Sequence, residues 1–373
     1  MNNPFSNLFS SFITTKSISV LGIDIGSSCI KIIQLKKKGG KAILETYGEI
    51  FTGPYNNTDP GRSTVLEVDK VSEALKDLLK ESNTTTINSG ISISVSSSLI
   101  SFIKMPTLNE RQLVEMVPIE ARKYIPVPIS EVSLDWWPIP KDESTFSEFQ
   151  NGQKVAVDEK NTEILLVAIH NDALTRNKEI QKVSNLDVSF SEIEIFSNMR
   201  SVLEPSMSPQ MIVDFGAGST KVFIVEKGIL RSYHTIIKGS QDITMSISKS
   251  MNITFDEAEK IKKEKGIISQ VGDDNVSQVS SITIDYILAE ISRMIINYYR
   301  KTDKKISKVV LTGGGAMLKG LKEKSQETFD IQVEIADPFS KVEYPAFLSE
   351  VLKTAGPEFS VAIGLAIRKL QEI

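Results

Sequence analysis

Cysteine is all but missing from this chain, and that removes several kinds of chemistry at once. Cys29 stands alone among 373 residues, so neither an intrachain disulfide nor a cysteine-cluster zinc site can form, and the chain suits a reducing compartment. Only His170 and His234 supply imidazoles, which argues against histidine-rich metal centres. Long hydrophobic runs are also missing: no stretch approaches the roughly 18 apolar residues that span a bilayer. The N-terminus has neither the basic start nor the apolar core of a secretory signal. A net charge of −4 gives no electrostatic footprint for nucleic acid. Neither a G-x-x-x-x-G-K-[S/T] phosphate loop nor a G-x-G-x-x-G dinucleotide turn after a strand occurs.

What is present is an ordinary globular composition, 40% apolar and 24% charged, on a chain long enough for two or three domains. Ahead of the first strand, Phe5, Leu8, Phe9, Phe12 and Ile13 share one side of a helical spacing. No Lys or Arg precedes Lys16, so attraction to anionic lipid is lacking. The segment reads as a short helix on its own domain or a frayed tail.

The chain contains one element twice. Residues 20–35 read VLGIDIGSSCIKIIQL and residues 210–225 read QMIVDFGAGSTKVFIV. Aligned without gaps, Asp24 falls on Asp214, Gly26 on Gly216 and Lys31 on Lys221. Each copy is an apolar strand, an Asp, a Gly-bearing turn with small hydroxyl residues, and a β-branched strand, which predicts a hairpin. Two such hairpins half a chain apart predict two halves of similar fold facing one another.

Glycine lets a backbone approach a ligand closely, and successive inward N–H groups make an anion-binding concavity. Ser27 and Ser28 in one turn, and Ser219 and Thr220 in the other, can add hydroxyl donors. Asp24 and Asp214 beside such turns make sense if Mg2+ stands between carboxylates and phosphates. A third turn follows the strand-like run 308–312: Gly313, Gly314 and Gly315, with a helix predicted from about Ala316.

These three turns, in this order, resemble the phosphate-one, phosphate-two and adenosine motifs of the actin-like ATPase superfamily. Ala258-Glu259-Lys260-Ile261-Lys262 resembles the A-E-x-x-K segment of the FtsA and MreB branches, which implies that Glu259 and Lys262 approach a nucleoside. Met105-Pro106, a helix over 109–124, Ile125-Pro126-Val127-Pro128 and Leu134-Asp135 are similar to the PilM family of type IV pilus assembly. The resemblance covers about 17–370. Departures are Pro118 inside that helix, the long polar run 141–161, and Cys29-Ile30 where the second turn has Ser219-Thr220.

The resemblance implies an α/β chain with a duplicated actin-like, ribonuclease H-like fold: two facing halves plus an inserted small α+β domain. It places a tail at 1–16 and the first half at 17–97, completed by 189–207 and a C-terminal helix at 358–373. The inserted domain falls at 98–188. The second half falls at 208–357, with a nucleotide-capping insertion at about 240–281. It implies ATP and Mg2+ as cofactors, held by Gly26, Ser27, Ser28, Lys31, Gly216, Gly218, Ser219, Thr220, Glu259, Lys262 and Gly313–Gly315, with Asp24 and Asp214 on the metal. Turnover is weak or absent, and Asp214 is the residue to orient a water.

The implied partner is a PilN-like membrane protein, held by its N-terminal cytoplasmic peptide. Other pilus platform proteins and self-association are further contacts. The implied place is the cytoplasmic face of the inner membrane, with membrane contact indirect. Adjacent Trp136 and Trp137 on a strand should point oppositely, one to the core and one outward. An FtsA-like filament scaffold ranks second, because such chains carry a long C-terminal tail and this one stops at Ile373.

Overall fold

The structure is a computed structural model that describes residues 18–140, 149–150, 153–154, 161–268 and 274–372. The N-terminal apolar spacing and nearly all of the 141–161 run lie outside the described residues.

β1 (Ser19–Ile25) and β2 (Cys29–Lys38) form the first predicted hairpin, and β3 (Lys41–Phe51) continues the antiparallel meander. α1 (Val68–Glu81) buries Val71, Ala74, Leu75 and Leu78, its apolar positions three and four apart, against Leu21, Ile23 and Ile32. β4 (Asn88–Ile93) then joins parallel beside β1.

The chain next builds the inserted unit. β5 (Ser98–Pro106) and β6 (Val132–Pro138) both pair antiparallel with β9 (Asn161–His170). A two-residue hairpin, β7 (Phe149–Gln150) and β8 (Gln153–Lys154), precedes β9. Alternation along β9 makes two faces. Ile164, Leu166 and Ala168 pack with Leu113, Val117 and Ala121 of α2 (Glu110–Ala121), while Leu165 and Val167 enter a different core. α2 starts at a reciprocal Asn109–Gln112 capping box, runs through Pro118 and stops at Ala121, short of the predicted 124. Trp136 is partly buried on this core, whereas Trp137 is 47% exposed.

α3 (Asn171–Ser184) and β10 (Asp187–Ile193) return to the first half. β10 extends the first sheet beside β4, and Ile180 and Leu186 join Leu75 and Ile91 in its core. Residues 171–188, which the sequence reading puts in the inserted domain, therefore share the first half's core, while Leu174 and Asn171 keep α3 in contact with the inserted sheet. The pattern misleads because α3 buries only Ile180 and Ser184, too little to show its partner.

α4 (Glu194–Val202) ties the units together: Ile195 shares a core with Ile93, with Leu165 and Val167 of β9, and with Ile212, Phe223 and Val225 of the second half. That half comprises β11 (Gln210–Phe215), β12 (Thr220–Glu226), β13 (Ile229–Ile236), β14 (Lys308–Thr312) and β15 (Val333–Ile335). Its order β13-β12-β11-β14-β15 repeats β3-β2-β1-β4-β10 strand for strand, an antiparallel meander followed by two parallel additions.

α5 (Ser240–Met251), α6 (Phe255–Lys265) and α7 (Asp274–Thr302) contribute Ile243, Ile247, Ala258, Ile284, Ile287 and Ile291 to the second core. α8 (Leu321–Phe329) precedes β15, and α9 (Ser349–Ala355) and α10 (Ser360–Gln371) follow it. α10 crosses back to pack Ala362, Ile363, Ala366 and Leu370 on Val20, Ile33 and Leu35. The approach leaves no spare room. A methyl group on Gly22 would sit 2.0 Å from the Ala362 carbonyl oxygen, and one on Gly364 would sit 1.9 Å from that of Ser197. No helix among the described residues is long and apolar enough to cross a membrane.

Candidate functional site

The two hairpin turns are built alike. Asp24 stands opposite Lys31 in the β1–β2 register, and Asp214 opposite Lys221 in the β11–β12 register. Gly26 N donates to the Cys29 carbonyl at 3.0 Å, and Gly216 N to the Ser219 carbonyl at 3.1 Å. Further carbonyls of both turns are tied off from behind. Ser27 O accepts from Thr64 N (2.8 Å) and Thr52 Oγ1 (2.9 Å), and Ser28 O from Thr52 N (3.0 Å). Gly216 O accepts from Ser240 N (2.9 Å), and Ala217 O from Gln241 N (3.0 Å). Among the described residues, the amides of Ser27, Ser28, Ala217, Gly218 and Ser219 donate to no backbone carbonyl. Each turn thus has carbonyls engaged by its own half and amides left over from backbone pairing.

Charges of each turn act on the aspartate of the other. Burial pushes the Asp24 carboxyl up to about 6, helped by the negative charge of Glu194 and opposed by Lys31, by Lys221 of the other half, and by a hydrogen bond with Ser92. Burial likewise raises Asp214, opposed by Lys221 and helped by Glu194, with Lys31 of the first half also acting on it. Lys221 Nζ lies 2.6 Å from Glu194 Oε2 and 3.7 Å from Asp214 Oδ2. Lys31 Nζ lies 3.8 Å from Glu358 and 3.9 Å from Glu49. Burial pushes the Cys29 thiol up to about 12, so it is no nucleophile.

The third turn differs from the sequence reading. Gly314–Met317 is a 3-10 turn and α8 begins only at Leu321. Gly313 N and Thr312 Oγ1 both donate to the Pro357 carbonyl, at 2.9 and 2.8 Å, which ties the turn to the segment entering α10. Gly313 adopts φ +82°, and a methyl group there would sit 2.4 Å from Asp214 Oδ1, so only glycine fits under that carboxylate. Gly315 packs flat on the Phe215 ring, and Gly314 is exposed beside Glu358.

Other predicted residues are placed less directly. The Thr220 hydroxyl is fully buried and donates to Lys238 O at 2.8 Å, which corrects its reading as a ligand donor. The strand register turns it inward, and Ser219 is the hydroxyl residue left to that turn. Lys262 Nζ is bonded within the α5–α6 seam to Glu259 (2.6 Å), Thr244 Oγ1 (3.0 Å) and the Ser240 carbonyl (3.2 Å). Ser240 also caps the second turn, so this pair abuts the site from behind. Glu194, Glu358 and Glu49 belong to the charge cluster and were not predicted. Their one sequence signal is an acid at an element's edge, Glu194 being the first residue after β10.

The family model described as Type IV pilus assembly protein PilM matches residues 22–370. The chain belongs to the PilM family. A solved PilM-PilN type IV pilus biogenesis complex superposes with a TM-score of 0.77 at 23% identity, covering 95% of this chain and 99% of that one. A Spiroplasma citri MreB bound to AMPPNP superposes at 0.51 with 10% identity, covering 95% and 97%. The cell division protein FtsA of Neisseria meningitidis is 31% identical over 175 residues, 41% of either chain, so the match spans less than half of that relative. The fold is the duplicated actin-like one, as predicted, with a small α+β unit inserted in the first half.

Proposed function

We propose that this PilM-family chain binds ATP with Mg2+ between its two turns and serves as a cytoplasmic adaptor of type IV pilus assembly. The carrying observation is the pair of turns whose carbonyls are engaged by their own half while their amides make no backbone bond, with Lys31 and Lys221 acting on both Asp24 and Asp214. Among the described residues no cluster of three or more His, Cys, Asp or Glu side chains is arranged for a metal. That suits Mg2+, which takes one or two carboxylates and completes its shell with waters and phosphate oxygens. Burial that penalises ionised Asp24 and Asp214 is relieved by a cation. Bound Mg2+ supplies charge neutralisation between carboxylates and phosphates. Gly26–Ser28 and Gly216–Ser219 hold the polyphosphate, Gly313–Gly315 the nucleoside end, with Glu259 and Lys262 behind it. Turnover is weak or absent, and where hydrolysis occurs Asp214 is the group to orient water.

The partner is a PilN-like membrane protein whose N-terminal cytoplasmic peptide lies in the groove between the first half and the inserted sheet, recruiting the chain to the cytoplasmic face of the inner membrane. Exposed Trp137, 6.3 Å from the Phe196 ring, supports an aromatic anchor at that seam. Calorimetric titration with such a peptide, with and without Mg-ATP, tests both halves of the reading. Tighter peptide binding with nucleotide is the expected result; heat from neither titration rejects it. Phosphate release no faster than in Asp214→Ala removes any enzymatic role.

The FtsA similarity favours a second reading, a filament scaffold using the same site. Nucleotide-dependent sedimentation of the purified chain would put that reading first.

A further inference from the structure

We propose that residues 52–66 form a lid over the polyphosphate end of the cleft, latched to the opposite half by Gln241. This rests on the nucleotide reading above. The lid hangs from the first turn at both ends: Thr52 reaches Ser27 and Ser28 through Oγ1 and N, and Thr64 N reaches Ser27. Its interior is self-bonded. Gly53–Asn56 is a 3-10 turn, Thr58 N donates to Gly53 O at 3.0 Å, and Asn56 Nδ2 to Thr64 Oγ1 at 2.5 Å. Its far end is pinned by Arg176, which donates to Leu66 O at 2.6 Å, and by the buried Leu66 side chain.

Between those anchors the lid crosses to the second half. Ser63 N donates to Gln241 Oε1 at 2.9 Å. Gln241 is itself fixed, because its own amide donates to Ala217 O in the second turn. Ser63 also sits over Gly218, where a methyl group would be 2.8 Å from Ser63 Oγ. Two turns assigned to one polyphosphate are therefore bridged by one segment, and a ligand leaving at that end has to part Ser63 from Gln241. The Ser63–Gln241 bond is the hydrogen bond of this bridge that depends on a removable side chain of the second half, which makes it the latch.

The test compares wild type with Gln241→Ala. Each is loaded with a fluorescent ATP analogue and Mg2+, chased with unlabelled ATP, and timed for release. Hydrogen exchange of the Ser63 amide is followed in nucleotide-free protein. Loss of one hydrogen bond should speed release roughly two- to tenfold and unprotect the Ser63 amide. Faster exchange with unchanged release overturns the lid, and unchanged exchange overturns the latch. Failure of wild type to retain any analogue rejects the nucleotide reading itself, and the lid falls with it.

Discussion

Lys221 Nζ reaches Glu194 Oε2 at 2.6 Å, joining the second hairpin to the first residue of the helix that links the two halves. With both side chains mostly buried, at 18% and 10% exposure, removing one partner strands the other. Lys221→Met should lower stability by about 3–5 kcal/mol, read as a shift of the urea midpoint. Adding Glu194→Gln should recover most of that loss. A double variant no better than the single would show that the pair is not coupled.

Asp24 predicts an unusual pH response. Its folded carboxyl titrates near 6 against an ordinary 3.8, so the native state holds the proton more tightly than the unfolded chain. Its contribution is fully present below pH 3.8 and is lost as pH rises through 6. Relative to Asp24→Asn, wild type should lose roughly 3 kcal/mol across that window. Urea titrations of both proteins at several pH values check the sign. Mg2+ with ATP should shrink the difference, because a cation favours the ionised carboxylate.

Glu192 predicts the opposite slope. Burial works against its charge, but Arg200 and Ser197 hydrogen bonds and the Arg368 charge outweigh burial and hold the carboxyl below the ordinary glutamate range. Arg200 grips it with its two terminal guanidinium nitrogens at 2.8 Å, and Arg368 adds a third guanidinium contact at 2.6 Å. This contribution is present above the unfolded value near 4.5 and fades as pH falls through the folded one. Glu192→Gln should cost several kcal/mol at neutral pH and flatten the acid limb of the stability curve.

The hairpins were legible because each needs an Asp, a glycine and a lysine at fixed offsets, and the chain writes that pattern twice. The last helix was placed by the resemblance; Gly364 and Ala362 are the positions that touch Ser197 and Gly22. Glu194, Glu358 and Gln241 were not legible, since each sits at the edge of another element and meets the turns only through tertiary packing. Thr220 misled for a related reason: its hydroxyl looks available until strand pairing brings the Lys238 carbonyl to it. The tie of residues 171–188 to the first half was hidden because Ile180 of α3 joins the α1 core and β10 pairs parallel with β4 across the insertion, which no local periodicity records.

The glycine floor beneath Asp214 is open to a direct test. Gly315→Ala would put a methyl 1.9 Å from the Phe215 ring and 2.8 Å from its carbonyl oxygen. Displacing Phe215 moves its neighbour Asp214, so the variant should lose about 1–3 kcal/mol of stability and weaken nucleotide uptake together. Uptake unchanged at reduced stability would separate the floor from the site.

The seating of α10 against β1 has a bearing on biosynthesis. The earlier-translated sheet lacks its covering helix until residues 360–371 have been made, while the second sheet draws its strands and most of its cover from one continuous stretch. The half translated later can therefore consolidate first, and the half translated earlier waits with Val20, Ile33 and Leu35 uncovered. Until residues 360–371 emerge, that apolar face of the first sheet stays open to water on the nascent chain.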